Sequence, residues 1–156
     1  MSENTETKFA SALKKVSGVS VIESEDLPTK NHIPNADIVK FTYRNATLNS
    51  MAFESEIMSI AALTYGFRFT ISSKVSKEKW GEIVEEFNKT QVAIKCVRNN
   101  GDNRVIFSCE FIYEKENILE KTIHRYLSVL LNSATKMTGI LDKHKIKYVR
   151  INSKES

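Results

Sequence analysis

The stretch QVAIKCVRNNGDNRVIFSCEFIY, residues 91–113, decides how this chain folds. Asn100-Gly101 near its middle is the strongest short hairpin signal, because both central residues of a type I′ turn need positive φ. Setting Asn99 opposite Asp102 pairs Cys96 with Val105, Ile94 with Phe107 and Val92 with Cys109 on one face, every pair apolar. The other face pairs Val97 with Arg104, Lys95 with Ile106, Ala93 with Ser108 and Gln91 with Glu110, and is mixed and partly wet. Turn chemistry and burial pattern agree on a β-hairpin. In this register the two cysteines of the chain share a face but sit four residues apart along the strands. That is about 13 Å, beyond the roughly 7 Å between Cα atoms that a disulfide tolerates. Two reduced, buried thiols are expected.

Working outward, a helix flanks the hairpin on each side. Before it, Ser76 caps a segment in which Trp80, Ile83, Val84 and Phe87 recur at helical spacing, opposite Lys77, Lys79, Glu82, Glu85 and Glu86. Trp80 is therefore expected to anchor the core. After the hairpin, a longer helix is predicted from Asn117, with Glu120 as its capping-box partner, to about Thr138, with Gly139 closing it. Leu119, Ile123, Tyr126, Leu130, Ala134 and Met137 form its central stripe. Ile118 and Val129 widen that stripe on one side and Leu127 and Leu131 on the other, past the usual arc of ~100°. So wide an arc predicts either a helix sunk between the sheet and another element, or one that meets a second protein.

Nearer the N-terminus, Phe9, Leu13 and Val16 mark a helix of about three turns, with Thr5 or Thr7 as cap and Gly18 beyond it. A brief strand at Val19 to Ile22 precedes an expected long loop over 23–37, which holds Pro28 and Pro34. Val39, Phe41 and Tyr43 then alternate with polar residues in a strand from Ile38 to Arg44, partnered by Leu48 to Glu54; two- and three-residue turns between them give opposite registers. The run Ile57 to Leu63 reads equally as helix or strand, and Phe67, Phe69 and Ile71 mark a third strand. The expected class is α+β, an antiparallel sheet packed with helices in the order α-β-β-β-α-β-β-α. One domain is expected over residues 1–141, followed by a basic, solvated tail over 142–156.

With 156 residues, 41% hydrophobic and 27% charged, five Gly and two Pro, the chain is neither disordered nor low-complexity. Its longest uncharged stretch, Ile57 to Phe67, has eleven residues, well short of the roughly 20 that span a bilayer. No membrane partner is expected. The first fifteen residues lack the basic and apolar regions of a secretory signal, so a cytoplasmic location is expected, and the sequons at Asn45 and Asn88 carry no weight. Charge is uneven: residues 1–88 carry 10 basic and 12 acidic side chains, residues 89–156 carry 13 and 7. Lys143, Lys145, Lys147 and Arg150 in the tail are the candidate contacts for nucleic acid.

Catalytic signatures are wanting. His32, His124 and His144 have no zinc-ligand spacing, so no metal is expected. Ser76-Lys77-Glu78-Lys79 fits the string of acylating enzymes, yet a capping serine explains it and no partner motif accompanies it. There is no Gly-rich phosphate loop or nucleophile elbow, and Glu82, Glu85 and Glu86 lie on a polar helix face. Neither catalytic residues nor a cofactor are expected. Aromatics interleaved with basic residues at 40–44 and 67–69 could stack bases, but they fit more simply as the core and wet faces of strands.

The element order, and above all the segment VEEFNKTQVAIKCVRNNGDNRVIFSCEFIYEKENILEKTIHRYLSVLL over residues 84–131, resembles the YbjN family, bacterial sensory-transduction regulators whose fold is similar to type III secretion chaperones. Asn88 matches an Asn that the family often places there. The resemblance covers the second half of the chain firmly and the first half in outline, and rests on apolar spacing rather than catalytic motifs. It implies a non-enzymatic protein that binds other polypeptides or acts in regulation, often as a homodimer. The pI of 9.0 departs from the acidic character of the secretion chaperones. The expected function is thus a protein-binding module, with Ile118, Val129, Leu127 and Leu131 as candidate contacts; a nucleic-acid-binding regulator is the alternative.

Overall fold

A computed structural model describes residues 6–26, 35–71, 75–98, 104–114 and 118–150. Along the chain they form α1 (Lys8–Lys15), β1 (Val19–Asp26), β2 (Asn35–Tyr43), β3 (Ala46–Glu54), β4 (Ser59–Ile71), α2 (Lys77–Thr90), β5 (Lys95–Arg98), β6 (Arg104–Tyr113), α3 (Leu119–Lys143) and β7 (Tyr148–Arg150). Six strands make one antiparallel sheet in the order β1-β2-β3-β4-β6-β5, and β7 pairs with the far end of β4. The α+β class holds, with two more strands than the predicted order.

One is β1, which begins at the expected brief strand Val19 to Ile22 and continues through the acidic stretch expected as loop to Asp26. Its acids have low strand propensity, and pairing with β2 sets Glu23 opposite Lys40 in register. The second is β7, inside the expected tail. The chain there is not wholly solvated: Ile146 is buried, and residues Tyr148 to Arg150 pair with Ile71 to Phe69.

The β2–β3 register is the two-residue one. Tyr43 pairs with Ala46 across Arg44 and Asn45, whose φ values of 48° and 65° are those a type I′ turn requires. The β5–β6 register differs from the predicted one by two residues: Cys96 pairs with Phe107 and Arg98 with Val105. A shift of two keeps every side chain on its predicted face, so Cys96, Val105, Phe107 and Cys109 all point inward and are buried. Val92, however, lies outside the strand and is exposed, and Asn99 to Asn103 lie outside the described residues.

The shift has a local cause. The Asn88 side chain, at the end of α2, donates from Nδ2 to the Cys96 carbonyl (3.1 Å) and accepts the Cys96 N–H at Oδ1 (2.8 Å). Asn88 thus stands in for a neighbouring strand along the outer edge of β5. The link from helix to strand turns sharply to allow it, with Ala93 at φ 71°.

α2 begins as predicted, with Ser76 Oγ accepting the Lys79 N–H, and buries Trp80, Ile83 and Phe87. α3 starts at Ile118 without a side-chain cap, while Asn117 lies outside the described residues. It passes Gly139 and ends at Lys143 rather than Thr138, because Leu141 is still buried against the core. All three helices cover one face of the sheet. α3 crosses β4 and β6, and α1 and α2 flank it. Between the layers, Phe87 meets Phe107 at 5.1 Å and Phe111 stacks on Tyr126 at 4.5 Å.

Candidate protein-binding face

The opposite face of the sheet carries no described helix. Cross-strand partners share a face, so the pairings spell out its rows. One row runs Ala36, Phe53, Ile60, Ile112 across β2, β3, β4 and β6. The next runs Glu25, Ile38, Met51, Ala62, Glu110 across β1, β2, β3, β4 and β6. An antiparallel sheet with one wet face normally alternates to polar residues there. Here five of the nine positions, Phe53, Ile60, Ile112, Ile38 and Met51, hold large apolar residues, and the charged ones, Glu25 and Glu110, end the second row. Met51 is 50% exposed and Ile112 69%, while Phe53, Ile60, Ile38 and Ala62 are half-buried and Ala36 is buried. Ile57, in the β3–β4 turn, is 97% exposed. Contiguous uncovered apolar surface of this kind marks an interaction site.

The contacts expected on α3 are not brought together. Leu127 is fully buried and Leu131 packs partly against the core, so the width of the helix's apolar arc is used inside the fold. Val129 (42% exposed) and Ile118 (69%) remain outside, about 16 Å apart along the helix axis. The basic candidates separate as well. Lys143 is ion-paired with Glu86, whose other oxygen lies 2.9 Å from His144 Nε2. Hydrogen bonds from Lys143 and His144 hold the Glu86 carboxyl below its ordinary range. Lys145 occupies a turn at φ 58°, Lys147 is exposed, and Arg150 lies in β7.

Alternation along the strands does not reveal this sheet face. In β4 the inward residues Ala61, Leu63, Tyr65 and Phe67 alternate with Ile60, Ala62, Thr64 and Gly66, so both faces contain apolar residues and the period is hidden. That same ambiguity over Ile57 to Leu63 was the available signal, since a strand apolar on both faces reads as a continuous run.

A second polar cluster lies in the core. Asp37 and Glu54 point inward from β2 and β3 and are almost fully buried. Asp37 accepts the Thr7 N–H at Oδ2 and the Thr7 hydroxyl at Oδ1, both at 2.9 Å. Glu54 accepts the Lys8 N–H at 2.8 Å and the Tyr113 hydroxyl at 2.6 Å. Desolvation raises the Asp37 pKa above 3.8, against the lowering effect of the Thr7 hydrogen bonds, with Asp26 and Glu54 adding repulsion. Burial also pushes the Tyr113 hydroxyl well above its usual value. Both Asp37 oxygens and Glu54 Oε1 receive donors at the α1 N-terminus that would otherwise lack partners, and Glu54 Oε2 takes the Tyr113 hydroxyl of β6. Cys96 and Cys109 are free and buried, and burial pushes both thiols up to about 12, where little nucleophilic thiolate exists.

Among the described residues no group of three or more His, Cys, Asp or Glu side chains could hold a metal ion, and no helix is long and apolar enough to cross a membrane. Compared with models of protein families, with curated proteins and with solved structures, the chain matches none.

Proposed function

We propose that this protein is a non-enzymatic protein-binding module that engages another polypeptide through the uncovered face of its sheet. The observation that carries the reading is the apolar band across four strands, from Ile38 and Phe53 to Ile112, with Met51 and Ile112 standing out of it. An association that buries these side chains gains roughly 25 cal/mol per Å² of apolar surface, and its centre resembles the apolar core of an interface bounded by charged residues. The YbjN-like succession of helix, hairpin and long helix agrees with a binding or regulatory role and leads to the same reading.

The test places a photo-crosslinking amino acid at Met51, at Ile112 and, as a control, at Asn132 on the exposed side of α3. Irradiation of the full chain, pure and in cell extract, is expected to attach polypeptide at positions 51 and 112 but not at 132. Equal labelling at all three positions, or none at 51 and 112, would remove the sheet face as the binding surface.

A further inference from the structure

On the helix-covered side of the sheet, away from the apolar band, a cleft of about 400 Å³ opens between the turn that follows α1 and the first two turns of α3. Lys15 and Ser17 line it from the one, Glu120, Lys121, His124 and Arg125 from the other. Its volume falls in the range of small-ligand sites, roughly 300–1,000 Å³. Three full cations thus meet one acid, and none of Lys15, Lys121 and Arg125 forms an ion pair with another described residue. Of the neighbouring bases, Lys14 is paired with Glu6, and the Arg44 guanidinium lies over the Tyr43 ring, 5.1 Å from its centre.

The needs of the fold do not account for these charges. Lys15 has a local use, since a cation in the last turn of a helix suits its dipole. Lys121 has the reverse. It sits in the first turn of α3, where the dipole disfavours a positive charge, and four residues before Arg125, a like-charge spacing that destabilises a helix. An anion held between the two turns their repulsion into shared attraction. His124 adds a positioned donor: its Nδ1 lies 3.3 Å from the hydroxyl of the buried Tyr43, whose ring meets the imidazole edge-on. With that hydroxyl donating to Nδ1, the neutral ring carries its proton on Nε2, the nitrogen left for a ligand.

We propose that this cleft binds a small phosphorylated molecule, its phosphate group held by Lys121 and Arg125 on α3 and by Lys15 across from them. Three bases less one acid leave the lining with two positive charges, which a phosphomonoester at about −1.5 to −2 near pH 7 matches and a single carboxylate does not. The planar Arg125 fork suits two phosphate oxygens at once, while Lys15 and Lys121 act as point charges. A nucleic-acid strand fits less well, since it needs a basic track with aromatic platforms for its bases. Tyr43 is buried here, and Lys143, where the basic C-terminal segment begins, lies about 27 Å from Arg125 along α3. The site stands independently of the reading of the opposite sheet face.

The test is an NMR titration of the isotope-labelled full chain with inorganic phosphate and with O-phosphoserine, ionic strength being held constant with chloride. Saturable shifts are expected at residues 15–17 and 120–125, with dissociation constants near the millimolar range. Lys121→Glu and Arg125→Glu should each weaken binding by about tenfold or more, and Lys40→Glu, on the other face of the sheet, should leave it unchanged. All three positions are exposed, so circular dichroism should show native folding in each variant. Because Lys121 opposes the dipole of α3, Lys121→Glu should also raise the denaturation midpoint; a fall would mean that this lysine serves the fold and would count against the site. The same shifts with chloride alone, shifts spread as strongly over Lys40, Lys95 and Lys147, or binding unchanged in both reversed α3 variants overturns the proposal. A phosphoserine peptide bound more than about tenfold tighter than O-phosphoserine, or a single-stranded oligonucleotide that also shifts Lys145 and Lys147, would assign the cleft to a macromolecule and overturn the small-molecule claim.

Discussion

Thr7 shows how much one side chain can carry. Its hydroxyl accepts the Ala10 N–H as the α1 cap and donates to Asp37, while its own N–H goes to the same carboxylate. Thr7→Ala should cost about 2 kcal/mol in urea unfolding, a lost cap plus a buried oxygen left without its donor, and Thr7→Ser should recover most of it. Asp37 adds a pH dependence. Because burial raises its folded pKa above 3.8, the folded chain binds this proton more tightly than the unfolded one. Its contribution is therefore most favourable below the unfolded pKa and declines as pH rises through the raised folded value. Asp37→Asn removes the ionisation, and the Thr7 hydroxyl can rotate to accept from the amide. The stability of this variant relative to the native chain should improve between about pH 4 and about pH 7; a difference that is flat across that interval would mean Asp37 ionises normally. The expected loop reaches Asp37, but strand phase marks it as inward-facing, because it lies two residues before Val39 on the buried face.

At the scale of elements, the helices carry two positions where sequence and need disagree. Gly81 lies within α2 and Gly139 within α3, and a Cβ built at either meets nothing within 4 Å. Gly81→Ala and Gly139→Ala should each stabilise the fold by about 0.5–1 kcal/mol, seen as a shift in the denaturation midpoint. Gly18 is the opposite case: at φ +89° and with Tyr43 beside it, a side chain there is strained. Gly139 was read as a helix stop, a sound inference from local chemistry that failed because Leu141 has a core to enter. α2 and its Ser76 cap were readable because cap, first-turn acid and apolar period all lie within one segment. The β5–β6 faces were readable for the same reason. Their register was not, because the Asn88 clamp on Cys96 couples the hairpin to a helix outside it.

Across the whole molecule, the segment after α3, from Ile146 to Arg150, belongs to the fold. Ile146 is 8% exposed and sits in the main core, just after the last helix. Ile146→Ala should cost about 2–3 kcal/mol, whereas Lys147→Ala, one residue on and exposed, should stay within about 0.5 kcal/mol; equal effects would mean that this segment is not docked. From its residues alone the chain determined its α+β class, the helix with Trp80 in the core, the inward faces of most strands and the burial of both cysteines, since each follows from periodicity and turn chemistry within a few neighbours. Only the tertiary structure decided that β1 runs on to Asp26 and that β7 joins the sheet, that Leu127 is core rather than surface, and that Ile38, Met51, Phe53, Ile60 and Ile112 converge on one face that no described helix covers. Those residues are up to 74 positions apart in sequence, and strand order, which brings them side by side, is set by the free energy of closing the entire core and not by any local pattern.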